Sequence, residues 1–231
     1  MSRDDDEGVI GILDFELLAA RFDDVDTTAV SDGDKSIRVV SSAITLRSAR
    51  GRICAPAYTI RTRRDFFAVA VAVERAPQAS VVVVDAGGDE VAVAGELFAR
   101  AAMIRGLAGI IVDGGYRDIG FVRSCPLPVY SRHITPMAGT ARDLGVAGQP
   151  VTCGGVVVNP GDVVLADDEG ILVLAPDRAM ELVVAARDVK DAEARAIRRM
   201  TSGASLSDCL NIDEHATLLE NGQPTSLRFL V

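Results

Sequence analysis

The chain has 231 residues, 48% of them hydrophobic and 25% charged, so it is long enough to bury one sizeable core. Its formal charge of −9 argues against a nucleic-acid-binding surface, which would require clustered Lys and Arg. We therefore expect one domain over residues 1–231, with a core at about 27–203 and a polar C-terminal extension at 204–231.

Targeting signals and membrane spans are not expected. The first residues are acidic and no signal-peptide-like apolar run follows them. The longest apolar run, residues 66–73, is far shorter than the roughly 20 residues of a membrane-spanning helix. These features predict a cytoplasmic protein that does not contact a membrane.

The four cysteines are scattered and include no C-x-x-C pair, so neither a zinc site nor a disulfide framework is indicated. We expect Cys54, Cys125, Cys153 and Cys209 to be buried free thiols.

The predicted elements mix helices and strands, which favours an α/β fold. Apolar spacing predicts a first helix at 12–22, followed by a polar loop at 23–34. Further helices are predicted at 66–76, at 95–105 before a C′ glycine, Gly106, and at 177–200 behind a capping Asp177. Strands are predicted at 37–44, 53–60, 81–84, 109–112, 127–130, 156–158, 163–165 and 171–174. Turn residues indicate that the last two strands form a hairpin, and residues 205–231 show little periodicity.

Two glycine-containing motifs carry the candidate chemistry. A helix that begins at Gly95 would present free backbone N–H groups and the positive end of its dipole to a carboxylate. Residues 113–115 predict a turn after a buried strand, which would place Arg117 and Asp118 where ligands collect in α/β sheets. These residues alone indicate an anion site. In the competing interpretation, Arg117 and Asp118 are ordinary surface residues and Glu96 is a first-turn acid that complements the helix dipole.

The order of these motifs resembles the RraA-like family, which includes class II 4-hydroxy-4-methyl-2-oxoglutarate and 4-carboxy-4-hydroxy-2-oxoadipate aldolases and regulators of ribonuclease E. The resemblance spans about residues 27–203. Its motifs are Val30-Ser31-Asp32, Gly95-Glu96-Leu97-Phe98, R-G-x-x-G-x-x-x-D-G-x-x-R-D at 105–118, Pro128-Val129 with Thr135-Pro136, Cys153-Gly154-Gly155, Pro160-Gly161-Asp162 and Ala166-Asp167-Asp168-Glu169-Gly170.

The resemblance implies a swivelling β/β/α domain, assembled as homotrimers or homohexamers with active sites at subunit interfaces. It implies Asp118 as the ligand of Mg²⁺ or Mn²⁺ and Arg117 as the group that stabilises an enolate. It also implies an acid from the helix of a neighbouring subunit, for which Glu193 is the first candidate and Asp191 the second. The implied substrate-binding set is Gly95, Glu96, Leu97, Phe98, Arg117 and Arg142.

The implied activity is metal-dependent cleavage of a 4-hydroxy-2-oxo diacid to give pyruvate, with oxaloacetate decarboxylation as a side activity. Both reactions leave a pyruvate-type enolate, so one site that polarises the keto oxygen can serve both. Two alternatives stay open. One is a non-catalytic RraA-type regulator that binds a ribonuclease or another protein, and the other is a related lyase or isomerase recruited to a specialised pathway.

The chain departs from the aldolase pattern at two positions. Arg142 stands where a lysine commonly follows a Gly-Thr pair, and Phe66 stands where the aldolases tend to have an asparagine. Arg61, Arg63 and Arg64 precede Phe66. They are interpreted either as a solvated loop or as extra anchoring for a polycarboxylate or phosphorylated substrate.

Overall fold

The computed structural model of the protein describes residues 14–49 and 51–231. The helices are α1 (Phe15–Phe22), α2 (Thr27–Gly33), α3 (Phe67–Arg75), α4 (Glu96–Ile104), α5 (Ile119–Val122), α6 (Pro176–Thr201) and α7 (Ile212–Glu220). The strands are β1 (Arg38–Val39), β2 (Thr45–Leu46), β3 (Ile53–Arg61), β4 (Val81–Asp85), β5 (Ala92–Ala94), β6 (Gly109–Tyr116), β7 (Val129–Ile134), β8 (Val146–Ala147), β9 (Val151–Cys153), β10 (Val156–Val158), β11 (Val163–Ala166) and β12 (Ile171–Leu174).

One mixed sheet organises the molecule, in the order β1-β12-β11-β3-β4-β6-β7-β2. The central strands β3, β4, β6 and β7 are parallel neighbours, and β5 adds to β6 in the same direction. The strands β11, β12 and β1 continue the sheet in antiparallel fashion. The predicted α/β class is therefore confirmed, as is the β11–β12 hairpin.

Three apolar clusters cover this sheet. The first lies between the parallel strands and the helices α3, α4 and α5, and the second lies against the β9–β10 hairpin. The third packs α1, α2 and α6 on strands β11 and β12. The parallel strands are apolar on both faces because both are covered, and every residue of β4 and β6 is buried.

Three regions differ from the predictions. Residues 23–34 were predicted to be a loop but contain α2, which the Asp26 side chain caps by accepting a hydrogen bond from the Ala29 N–H at 2.9 Å. Residues 37–44 were predicted to be one strand, yet only β1 pairs with β12, and the chain then crosses to the opposite edge, where β2 pairs with β7. The polar tail contains α7, which has no buried residue and therefore gave no apolar signal.

The predicted turn at residues 113–115 is wrong. These residues continue β6 to Tyr116 and are fully buried. Gly115 is required for close approach, since a Cβ there would lie 2.4 Å from the Glu90 carbonyl oxygen. Asp113 is a buried strand residue whose carboxylate accepts from Arg132 Nε at 2.5 Å and from the Gly154 N–H at 2.7 Å.

The predicted helix at 12–22 is observed from Phe15 onward, and its first residues, like the acidic start of the chain, lie outside the described residues. Among residues 14–49 and 51–231, no helix is both long enough and apolar enough to cross a membrane.

Candidate active site

The pairing of β5 with β6 brings the two glycine-containing motifs together. Ala94 pairs with Tyr116, and the Arg117 N–H donates to the Ala94 carbonyl oxygen at 3.1 Å. Gly95 follows β5 and Arg117 follows β6, so residues 22 positions apart are neighbours at the ends of two parallel strands. The sequence interpretation that Arg117 and Asp118 follow a buried strand is confirmed.

The N-terminus of α4 faces this junction, with Gly95 as its N-cap. The Glu96 N–H donates to Asp118 Oδ2 at 3.1 Å, whereas the Leu97 N–H has no acceptor within the described residues. The Glu96 carboxylate points along the helix and accepts from Arg100 Nε at 2.7 Å. The first turn of α4 thus offers a free amide and the positive end of the helix dipole.

Gly95 is required for steric reasons. Its backbone is extended, with φ of −169°, so conformational freedom is not the requirement. A Cβ at this position would lie 2.5 Å from Asp118 Oδ2 and 2.9 Å from Arg117 Cγ. The missing side chain is what lets the helix terminus approach both charged residues.

Asp118 turns the chain from β6 into α5 in a left-handed backbone conformation, with φ of 58°. Aspartate tolerates this region better than most residues, but the conformation still costs energy and is typical of constrained sites. Arg117 Nε lies 3.5 Å from Asp118 Oδ2, and the two side chains are 45% and 41% exposed. Asp118 Oδ1 has no hydrogen-bond partner within the described residues, which leaves an oxygen available to a ligand.

Tyr116 holds Gly95, the N-cap of α4, in position, and it was not singled out in the sequence. Its ring is fully buried, and its hydroxyl donates to the Gly95 carbonyl oxygen at 3.1 Å. Burial raises the pKa of the Tyr116 hydroxyl well above its ordinary value of 10, so the hydroxyl stays protonated and donates at any physiological pH. A lone tyrosine at the end of an apolar strand offers no pattern that could have identified this role.

A cavity of about 210 Å³ opens at this junction. Its lining residues are Phe66, Ala92, Ala94, Gly95, Leu97, Phe98, Arg117, Asp118 and Ala138. Five of the predicted site residues therefore meet at one cavity, and the two charged ones lie together on one side. The arrangement can hold an anion through Arg117 and the Leu97 amide, and a cation through Asp118.

The residues present are compatible with a magnesium or manganese ion that is held by one carboxylate and keeps several waters. Among residues 14–49 and 51–231, no group of three or more His, Cys, Asp or Glu side chains could enclose a metal. Magnesium is commonly held by one or two carboxylates and keeps several waters, so the single carboxylate of Asp118 fits such an ion better than zinc.

Four predicted site residues do not line the cavity within this chain, namely Glu96, whose carboxylate pairs with Arg100, and Arg142, Glu193 and Asp191. Arg142 is exposed, and its backbone N–H donates to Asp65 Oδ2 at 2.7 Å. Glu193 is half-buried on α6, and Asp191, on the same helix, lies 3.3 Å from Arg187. Helix α6 packs against α1 and α2, remote from the cavity lining, so the role of Glu193 at a neighbouring subunit's site stays a prediction.

The sequence matches the family described as "RraA-like: Aldolase/RraA" over residues 27–173, which is more than half of the chain. The chain belongs to the RraA-like family. Both site motifs fall within the match, whereas Glu193 and the C-terminal tail lie beyond it.

Similar RraA-like proteins carry different names. The chain is 32% identical to the "Putative 4-hydroxy-4-methyl-2-oxoglutarate aldolase" of Halalkalibacterium halodurans over 184 residues, which cover 79% of this chain and 87% of that protein. It is 34% identical to the uncharacterized protein MJ0644 of Methanocaldococcus jannaschii over 131 residues, 57% of this chain and 63% of that protein. The match thus spans less than two thirds of the archaeal protein.

A solved structure shares the fold. RraAS2 of Streptomyces coelicolor, described as an unusual member of the RNase ES inhibitor RraA protein family, superposes with a TM-score of 0.68 at 26% identity. The similarity covers 79% of this chain and 98% of that one. The predicted RraA-like fold is therefore confirmed, and the family includes both aldolase-named and inhibitor-named relatives.

Proposed function

We propose that this protein is a divalent-metal-dependent lyase that cleaves a carbon–carbon bond of a 4-hydroxy-2-oxo acid to give pyruvate. The observation that carries the proposal is the convergence of Arg117, Asp118 and the N-terminus of α4 at one cavity. Several RraA-like relatives named as aldolases of such a substrate support the same reaction class.

Substrate binding would use the carboxylate of the 2-oxo acid. Leu97, in the first turn of α4, and Arg117 both line the cavity, so the Leu97 N–H, the helix dipole and the Arg117 guanidinium are available to the substrate. Together they can hold the carboxylate and the keto oxygen on the charged side. A divalent ion at Asp118 would add Lewis acidity at the same oxygens.

In the proposed cleavage, negative charge develops on an oxygen that Arg117 would stabilise. The C4 hydroxyl loses its proton, the C3–C4 bond breaks, and its electron pair forms the C2–C3 double bond of an enolate while a carbonyl product leaves. Arg117 stabilises the enolate oxygen, and protonation at C3 then gives pyruvate. Loss of CO₂ from oxaloacetate leaves the same enolate, so we propose that decarboxylation is a side activity.

The base that takes the hydroxyl proton is not evident among the cavity residues of this chain. Arg117 and Asp118 are the ionisable side chains in the lining, and both have other roles. We therefore keep Glu193 of a neighbouring subunit as the proposed source, in a homotrimer or homohexamer, with Asp191 as the second candidate. The assembly and the cytoplasmic location are part of the proposal; the first rests on the family and the second on the sequence features given above.

The test is pyruvate release from 4-hydroxy-4-methyl-2-oxoglutarate and from oxaloacetate, with added Mg²⁺ or with chelator. Asp118→Ala should abolish turnover and weaken Mn²⁺ binding measured by titration calorimetry. Arg117→Ala should slow turnover by about 10²–10³-fold, as expected for the loss of one oxyanion donor. Asp188→Ala, which changes an exposed carboxylate on α6, is the matched control and should leave both readouts unchanged.

Unchanged turnover in Asp118→Ala would refute the metal role. A folded protein that releases no pyruvate, binds no metal and captures a ribonuclease in stoichiometric amounts would instead support the regulator alternative, which the likeness to RraAS2 favours.

A further inference from the structure

The hydroxyl of Tyr116 is bonded to a carbonyl oxygen that already has other partners. The Gly95 carbonyl oxygen accepts from the Phe98 N–H and from the Ala99 N–H, each at 3.1 Å, and these bonds close the first turn of α4. The Tyr116 hydroxyl donates to the same oxygen, also at 3.1 Å. Since a carbonyl oxygen has two lone pairs, the end of the helix does not need this third donor.

The peptide group that Tyr116 contacts is also bonded to Asp118. The Gly95 carbonyl and the Glu96 N–H belong to one planar peptide group, so an interaction that orients one of them orients the other. The Glu96 N–H donates to Asp118 Oδ2 at 3.1 Å. A continuous chain of hydrogen bonds thus runs from the buried hydroxyl of Tyr116, through the Gly95–Glu96 peptide group, to the carboxylate of Asp118.

Hydrogen bonds in such a chain strengthen one another. A donor at the carbonyl oxygen polarises the peptide group and makes its N–H a stronger donor. The Tyr116 hydroxyl therefore strengthens the bond from the Glu96 N–H to Asp118 Oδ2. This bond holds one oxygen of the carboxylate, while Asp118 Oδ1 has no hydrogen-bond partner within the described residues.

The contact between Tyr116 and Gly95 is enclosed by this chain. The Tyr116 side chain is fully buried in the apolar cluster between the parallel strands and the helices α3, α4 and α5. Its backbone pairs with Ala94, the residue directly before Gly95. A neighbouring subunit that completes the cavity cannot reach or replace a contact that is buried in this way.

We propose that Tyr116 is a positioning residue of the lyase site, which acts through the Gly95–Glu96 peptide group to fix the carboxylate of Asp118. With Asp118 Oδ2 held, Asp118 Oδ1 stays available to the divalent ion. The inference rests on the proposed function for its effect on turnover, whereas the chain of hydrogen bonds can be tested on the metal-free protein.

The first measurement uses the metal-free Tyr116→Phe variant, which loses the hydroxyl and keeps the ring. The dipeptide Gly-Glu occurs once in the sequence, at residues 95 and 96. Labelling glycine with ¹³C at the carbonyl and glutamate with ¹⁵N therefore isolates this peptide group in the NMR spectrum. We expect the Gly95 carbonyl carbon and the Glu96 amide proton to move upfield, because the first loses a donor and the second makes a weaker bond.

The second measurement is of Mn²⁺ affinity and turnover. Tyr116→Phe should weaken Mn²⁺ binding, measured by titration calorimetry without substrate, by about two- to tenfold, the size expected for one hydrogen bond. At saturating Mn²⁺, kcat for pyruvate release should fall by a similar factor. KM should change by less than about twofold, because Arg117 and the Leu97 N–H still bind the substrate.

Tyr130→Phe is the matched control. Tyr130 is also buried, and its hydroxyl donates to a backbone carbonyl oxygen, that of Asp167, at 2.8 Å. It belongs to the cluster against the β9–β10 hairpin and lies outside the cavity lining. Both variants should lower the free energy of unfolding in urea by similar amounts, but Tyr130→Phe should leave the Gly95–Glu96 resonances, Mn²⁺ affinity and kcat unchanged.

The outcomes separate this inference from the proposed function. Unchanged Glu96 resonances, unchanged Mn²⁺ affinity, or equal losses of affinity and kcat in the two variants would overturn the inference, since the Tyr116 hydroxyl would then have no more than a structural role. A folded wild-type protein that binds Mn²⁺ but releases no pyruvate would overturn the proposed function. The resonance shifts and the weaker Mn²⁺ binding of Tyr116→Phe would in that case still support the positioning of Asp118.

Discussion

Replacement of Gly95 by alanine should separate activity from stability at this site. The added Cβ would lie 2.5 Å from Asp118 Oδ2, so the Asp118 and Arg117 side chains must move. Both are partly exposed and can move at low cost in folding free energy. The hydrogen bond from the Glu96 N–H to Asp118 would be lost, which costs about 0.5–1.5 kcal/mol of the free energy of unfolding.

The effect on turnover should be much larger. Displaced side chains would no longer align a metal and a guanidinium with the α4 terminus, so we expect a 10²–10³-fold loss of kcat/KM, of the size seen when one oxyanion donor is removed. Pyruvate release and urea unfolding measure the two effects on the same preparation. A shift in melting temperature of no more than about 6 °C is expected for a protein of this size.

Gly120→Ala is the matched control, since Gly120 lies in the adjacent helix α5 and a Cβ there has no atom within 4 Å. It should change neither activity nor stability appreciably. The steric argument would be refuted if Gly95→Ala kept full activity, or if it unfolded the protein while Gly120→Ala did not.

Two further predictions concern stability and reactivity. Asp65→Asn should lower the free energy of unfolding by about 2–4 kcal/mol, because an amide nitrogen cannot accept the bonds that Asp65 Oδ2 receives from Thr140 and Arg142. Burial opposes ionisation of Asp65, but these bonds outweigh it and hold its pKa below 3.8, so its contribution is present above about pH 4 and is lost as the pH falls through the folded-state pKa. Native protein at pH 8 should react with less than about one equivalent of a thiol reagent, since burial raises the pKa of Cys54 to about 12 and the other cysteines are buried.

The Asp65→Asn prediction and the thiol prediction each have an internal control. The difference in urea midpoint between wild type and Asp65→Asn should shrink from pH 6 to pH 3, and a constant difference would contradict the ionised carboxylate. All four thiols should react in guanidinium chloride, and rapid titration of all four without denaturant would contradict their burial.

Periodicity predicted the elements that bury apolar residues in a regular pattern. The strands at β3, β4, β11 and β12 and the helices α3, α4 and α6 lie within a few residues of their predicted bounds. Residues 113–115 were misassigned because Asp and Gly are typical of turns. Here Gly114 makes room for the Ala86 side chain, Gly115 makes room for the Glu90 carbonyl, and Asp113 pairs with Arg132. Local composition could not reveal these contacts, because the partner residues are distant in the sequence.

The candidate site also contains some residues that local sequence patterns could indicate and others that depend on distant segments. Gly95 begins a predicted helix, and Arg117 and Asp118 follow a predicted strand, so the sequence could indicate them. Tyr116 and the network around Asp65 depend on contacts between segments that are far apart in the chain, and no spacing rule connects Asp65 with Thr140. Phe66 was noted as a departure from the aldolase pattern, but its pairing with Phe98 required the fold.

The crossing from β1 to β2 sets a geometric limit on the sheet. These strands lie at opposite ends of a path of eight strands, which would be about 34 Å wide if the sheet were flat. Val39 and Thr45 are six residues apart, so the chain between them can span at most about 20–22 Å. The link therefore imposes a minimum curvature that hydrogen bonding between strands does not itself require. Lengthening residues 40–44 would relax this limit without altering a single strand, so the length of this link limits how flat the sheet can be, independently of the strand order.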